Sequence, residues 1–162
     1  MTADDFARQL SEYLHVPIEP KANKSLVDAG TRTGNALVDF VRGYDTSEVE
    51  IGMITFPPWA LKTTRGWHVG NDEADPIILD SATGEVWLKE HMEDYILDLC
   101  AKDSGHFMDA LLTAARVPEW DEIEPIDDNA KEIIRRESAE ACAIAAGGDR
   151  YLRFYLNLFG AL

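Results

Sequence analysis

The sequence predicts a single α+β domain over residues 1–162: a mainly antiparallel sheet covered by helices, with further helices from residue 129 to the end packed on it. Three observations carry that prediction. Apolar residues recur at helical spacing at the start of the chain (Phe6, Leu10, Leu14) and again after Ser104. Between them, Ile77-Ile78-Leu79 and Val86-Trp87-Leu88 alternate about a turn-forming Asp80-Ser81-Ala82-Thr83-Gly84. The strand-like segments cluster in the middle instead of alternating with helices, which argues against repeated βαβ units. With 46% hydrophobic residues in 162, one core needs neither disulfides nor metal, whereas two domains would each be marginal.

Taken in order, Asp4 to Tyr13 predicts a first helix, after which Pro17 and Pro20 lead the chain extended. Leu37, Val38, Phe40 and Val41 fit a strand or a short helix, ended by Gly43. Glu50 to Phe56 has strand character and is closed by Pro57-Pro58, which cannot donate to a ladder. Gly66 to Val69 predicts another strand, and the hairpin follows. There Asp80 bonds back to the backbone as an Asx-turn, and Gly84 supplies a positive φ. Met92 to Cys100 has Tyr95, Ile96, Leu99 and Cys100 at helical spacing. Ser104 is placed to cap a helix reaching Arg116 before Pro118, with Phe107, Met108, Leu111 and Leu112 on its apolar face. An acidic connector from Glu119 to Asp128 contains Trp120. Asn129 with Glu132 fits a capping box for a helix to Ala146, whose buried side would hold Ile133, Ile134, Ala141, Ile144 and Ala145. Gly147-Gly148 stops it, and Asp149 is placed to cap a last helix through Tyr155 and Phe159.

Fifteen Lys and Arg against 30 Asp and Glu give a formal net charge of -15. Such a surface repels nucleic-acid phosphates and acidic membranes; it serves solubility, or steers a basic partner into contact. The N-terminus is acidic at once, without the basic and apolar regions of a signal peptide, and no run approaches a membrane span, so a cytoplasmic protein is expected. Cys100 and Cys142 lie in apolar sequence read as helical, and they predict reduced core thiols.

Residues that would carry chemistry are sparse. His15, His68, His91 and His106 are isolated, with no zinc-like spacing. His68 falls on a predicted strand beside an acidic loop, where a neighbouring carboxylate would suit it to act as a base. Asp72, Glu73, Asp75 and Asp80 are dense, yet the alternating loop, central glycine and terminal glutamate of a calcium hand are missing. Ser104-Gly105-His106 is too compact for a triad, and the chain has no nucleophile elbow, phosphate loop or dinucleotide fingerprint. No catalytic residue, cofactor or metal is therefore expected. Trp67 and Trp87 are expected in the core, while Trp59 and Trp120, in irregular segments, are candidates for exposed anchors ringed by charge.

Gly70, Asp75-Pro76 leading into Ile77-Ile78-Leu79-Asp80, Thr83-Gly84-Glu85-Val86, and then Ser104 with Phe107-Met108 and Leu111-Leu112 together resemble the SMI1/KNR4 (SUKH) superfamily, many of whose bacterial members are immunity proteins of polymorphic toxin systems. The resemblance is carried by residues 66–115 and, more loosely, by the opening helix. It implies a strand ending in an aspartate, a hairpin turned by the Thr-Gly pair, and a helix opened by the later serine that covers the sheet. In function it implies a non-enzymatic protein that neutralises a cognate toxin, often a nuclease with a basic cleft. The contacts expected from this chain are Asp72, Glu73 and Asp75, with Trp59 and Trp120. Two other readings are a general protein-interaction domain of the same fold, and a small hydrolase or metal-dependent enzyme. The enzyme would need a concave pocket holding His68 beside at least two carboxylates.

Overall fold

A computed structural model describes residues 1–22, 32–118 and 127–162; Trp120 and most of the acidic connector fall outside the described residues. Thr2 opens helix α1 (Ala3–Leu14) with a capping box to Asp5, and His15 closes it in the left-handed conformation at φ 55°. Helix α2 (Ala36–Gly43) resolves the ambiguity at Leu37–Val41: the Asn35 side chain accepts the N–H groups of Leu37 and Val38, and all four apolar residues are buried.

The sheet has seven strands, β1 (Glu50–Ile51), β2 (Ile54–Thr55), β3 (Leu61–Lys62), β4 (Gly66–Asp72), β5 (Asp75–Asp80), β6 (Val86–Lys89) and β7 (Ile96–Ala101). They run antiparallel in the order β1-β2-β4-β5-β6-β7, with β3 also paired to β4. The single strand expected over Glu50–Phe56 is instead a miniature hairpin. Gly52 takes φ 60° and lets Ile51 fold back onto Ile54.

Residues 92–100 are not a helix. Their apolar part is β7, and the pseudo-helical spacing has a physical origin. The register with β6 shifts twice, so that Val86, Trp87, Leu88 and Lys89 face Ala101, Leu99, Asp98 and Ile96. Cys100 and Leu97 are thus extra residues, and two bulges three residues apart turn a period of two into something close to a helical one. Cys100 accordingly sits in a strand; it and Cys142 are both buried and free. Burial raises the Cys100 thiol well above its ordinary range and that of Cys142 to about 12, which keeps both protonated and inert.

Helices α3 (Ser104–Ala115), α4 (Asp128–Ala146) and α5 (Leu152–Leu158) complete the fold, the last entered through a 3-10 turn at Asp149–Tyr151. Their caps lie one or two residues before those expected. Asp103 caps α3 and Asp127 caps α4, while Gly148 precedes the 3-10 turn without a side-chain cap. The buried stripe of α4 is Ala139, Cys142, Ala143 and Ala146, small side chains that let it approach α3; Ile133 and Ile144 point outward at 57% and 72% exposure. The isoleucines are off the stripe by their angular position, which hydrophobicity alone does not reveal. The helices cover one face of the sheet, over Val69, Ile77, Leu79, Val86 and Leu88. No helix among the described residues is long and apolar enough to cross a membrane.

Candidate functional site

The strand registers sort the loops between two ends of the sheet. At one end lie the β1–β2 turn (52–53), the β4–β5 turn (73–74) and the β6–β7 connection (90–95); at the other lies the β5–β6 turn (81–85). Asp72, Glu73 and Asp75 all fall at the first end, because Asp72 pairs with Asp75 as the last rung of β4–β5 and Glu73 opens the turn. Glu73 is left-handed at φ 53°, a conformation that costs a residue other than glycine about 1 kcal/mol. Its backbone N–H donates to the Met53 carbonyl at 3.2 Å, tying the tip to the neighbouring turn.

The β6–β7 connection adds Glu90, Glu93 and Asp94 to the same end. Ion pairing here is selective. Asp94 meets Arg65 at 3.7 Å and Lys89 at 3.3 Å, and Asp98 meets Arg153 at 3.5 Å. Asp75 and Glu90 both face His91 Nδ1, at 2.8 and 3.3 Å. Among the described residues, Asp72, Glu73 and Glu93 make no ion pair. Burial, then the charges of Glu73, Asp75 and Asp98, raise the Asp72 carboxyl above its ordinary value. Asp98 is also raised by burial, against the opposing pull of Arg153 and Asn157. Interspersed with these acids are exposed apolar side chains, Met53, Tyr95 and, at 80% exposure, Met92.

Trp59 is exposed at 58% but sits between β2 and β3 on the lateral edge of the sheet, so the structure does not join it to the acidic end. The tryptophans expected in the core are only half-buried, and they lie on opposite faces. Trp67 shares the covered face with Leu79, under Arg42 and Lys62 at 5.9 and 5.6 Å. Trp87 shares the open face with Ile78, under Arg65 at 5.7 Å. Both rings use their apolar surface beneath cations, which a place in the core would deny them.

The open face carries a groove of about 350 Å³, lined among others by Arg65, His68, Asn71, Ile78, His91 and Asp94. The register shift at Val69 puts His68 and Asn71, three residues apart, on one face, where His68 Nε2 meets Asn71 Oδ1 at 2.7 Å. With the amide oxygen as acceptor, Nε2 carries the hydrogen. The carboxylate partner expected for His68 is thus replaced by an amide, and the carboxylate that lines the groove among the described residues, Asp94, is held by two cations. Two carboxylates directed at His68 are not found among the described residues.

Sequence reading passed over Glu90 and took His91 as isolated, and the signal that joins them to Asp75 lies in the hairpin register. Ile77 faces Leu88, so two further residues bring Asp75 opposite Glu90. Comparison of the chain with family models, curated proteins and solved structures returned no match.

Proposed function

We propose that this chain is a non-enzymatic, immunity-type protein that binds and neutralises a basic protein toxin through the acidic end of its sheet. The observation that carries the reading is a set of carboxylates at that end, Asp72, Glu73 and Glu93, that make no ion pair among the described residues and are set among the exposed side chains of Met53, Met92 and Tyr95. Apolar anchors supply affinity once dehydrated, and the surrounding like charges supply encounter rate and selectivity for a cationic surface. The net charge of -15 extends that field beyond the contact. The SMI1/KNR4 resemblance supports the same reading: β5 ends in Asp80, Thr83-Gly84 turns the hairpin, and α3 begins at Ser104 with Phe107 buried. A toxin's nucleic-acid cleft is one cationic surface that such an end would fit.

Co-expression with a basic toxin encoded beside this gene is expected to restore growth, and a toxin whose activity is untouched would overturn the reading. With the purified pair, replacing Asp72→Asn and Glu73→Gln together is expected to slow association severalfold at low salt and to flatten its salt dependence. Unchanged kinetics would remove this end from the interface.

A further inference from the structure

We infer that Asp75, Glu90 and His91 form a binding site for one divalent transition-metal ion, with zinc the best match, where the β6–β7 connection meets the start of β5. This goes beyond the partner-binding reading and departs from the sequence expectation of no metal. The three donor atoms lie within 4.8 Å of one another. His91 Nδ1 stands 2.8 Å from Asp75 Oδ1 and 3.3 Å from Glu90 Oε1. A tetrahedral zinc ion with bonds of about 2.0–2.2 Å holds neighbouring donors roughly 3.3–3.5 Å apart, so the His91–Glu90 pair already fits, the His91–Asp75 pair must open by about 0.5 Å, and no pair has to close by more than about 1.5 Å.

The donors are also held in place from behind. Glu90 Oε2 accepts the backbone N–H groups of Met92 and Glu93, which leaves Oε1 directed at the imidazole. The His91 backbone N–H donates to Asp75 Oδ1 at 3.0 Å, fixing the loop against β5. Such support positions ligands before the ion arrives. Charge points the same way. Among the described residues, the ion pairs of Asp75 and Glu90 are with His91 alone, so two carboxylates share one imidazole and no permanent cation. A divalent ion would balance them.

His91 is the one member of the set that also lines the groove; Asp75 and Glu90 lie beside it, at the end of the sheet. One imidazole with two carboxylates suits zinc or manganese; calcium takes six or more oxygens and gains little from the nitrogen. His106 provides an internal control. Its Nδ1 stands 2.9 Å from Asp103 Oδ1, the same pairing, but it belongs to no cluster of three donors among the described residues.

The test is calorimetric titration of the full chain with zinc chloride and, separately, with calcium chloride. One zinc per chain is expected, with calcium about tenfold weaker or worse. His91→Ala and Glu90→Gln should each weaken zinc by about tenfold or more, and His106→Ala should leave it unchanged. In the unmutated protein, the imidazole resonances of His91 should shift in step with zinc occupancy while those of His106 stay still. That readout remains if a variant disturbs the loop. Failure to saturate, His91→Ala titrating like the parent, calcium binding as tightly as zinc, or zinc leaving the His91 resonances in place would each overturn the site. No partner protein is needed, so the outcome is separate from that of the toxin experiment.

Discussion

The two ends of the sheet are made from similar residues, yet they treat one aspartate each, Asp80 and Asp72, in opposite ways. At the β5–β6 end, Asp80 is only 5% exposed and its Oδ2 accepts the backbone N–H and hydroxyl of Thr83 at 2.7 and 2.6 Å. Burial pushes its carboxyl up, but those hydrogen bonds and Arg65 outweigh burial and hold it below the ordinary value. Its neighbour Glu85 is met by Arg150 at 3.2 Å and by the Tyr151 hydroxyl. At the β4–β5 end, Asp72 is half-buried without such partners among the described residues, and its carboxyl is raised. Charge that is satisfied internally shapes a turn, whereas charge left unsatisfied is available to something outside. The contrast ties one end to folding and supports the recognition role proposed for the other, and it can be broken at either.

The largest effect is expected at the folding end. Gly66 begins β4 with its α-carbon against β5, and a Cβ built there would lie 1.9 Å from the Leu79 carbonyl oxygen. Backbone cannot retreat as a flexible side chain would. Gly66→Ala is therefore expected to cost about 3 kcal/mol or more, measured by chemical denaturation, or to prevent folding. A loss below about 1 kcal/mol would show that β4 and β5 are less tightly joined than the register implies.

Asp80→Ala comes next. It removes both bonds to Thr83 and leaves a turn held by Gly84 N–H to Asp80 carbonyl and Asp80 N–H to Glu85 carbonyl, each at 2.9 Å. The expected loss is about 1–2 kcal/mol at neutral pH. Because the folded carboxyl sits below the unfolded value of 3.8, this contribution is full above that value and is lost as pH falls through the folded one. Denaturation midpoints of parent and variant should converge in acid. A gap independent of pH would mean that the lost packing, and not the ionised carboxylate, stabilises the turn.

The same contrast explains how much was legible in the sequence. The Asp80–Gly84 turn closes on itself within five residues, with Thr83 bonding Asp80 and Gly84 at φ 79°, so its chemistry reads locally. The acid run at Asp72–Asp75 was legible as charge. What local sequence does not contain is the burial of Asp72 and the charge of Asp98, brought near it from β7, where Asp98 is itself met by Arg153 and Asn157 of helix α5. Strand β7 was hidden by its two bulges, and the Asp75-Glu90-His91 cluster by the need to carry a register across a hairpin and into the next loop. The α4 isoleucines misled because tertiary packing chose the alanine stripe that allows close approach to α3.

The smallest effect, and the sharpest test of the contrast, is Asp72→Asn. Here the folded carboxyl is raised above the unfolded value of 3.8, so the ionised form destabilises the fold, fully above the folded pKa and not at all below 3.8. Removing the charge should raise stability at neutral pH. The group is only half-buried, so solvent screening discounts the gain to roughly 0.5 kcal/mol, or about 1–2 °C in Tm. The advantage should shrink as pH falls through the folded pKa and vanish near 3.8, because the parent then binds its own proton. This sign is opposite to that at Asp80, where neutralisation costs stability. It is also opposite to the change expected in association with a basic partner, which the same loss of charge should slow. A thermal melt series across mildly acidic pH decides the matter: a variant less stable than its parent at neutral pH would show that Asp72 is held by the fold as Asp80 is, and the two ends would no longer differ in kind.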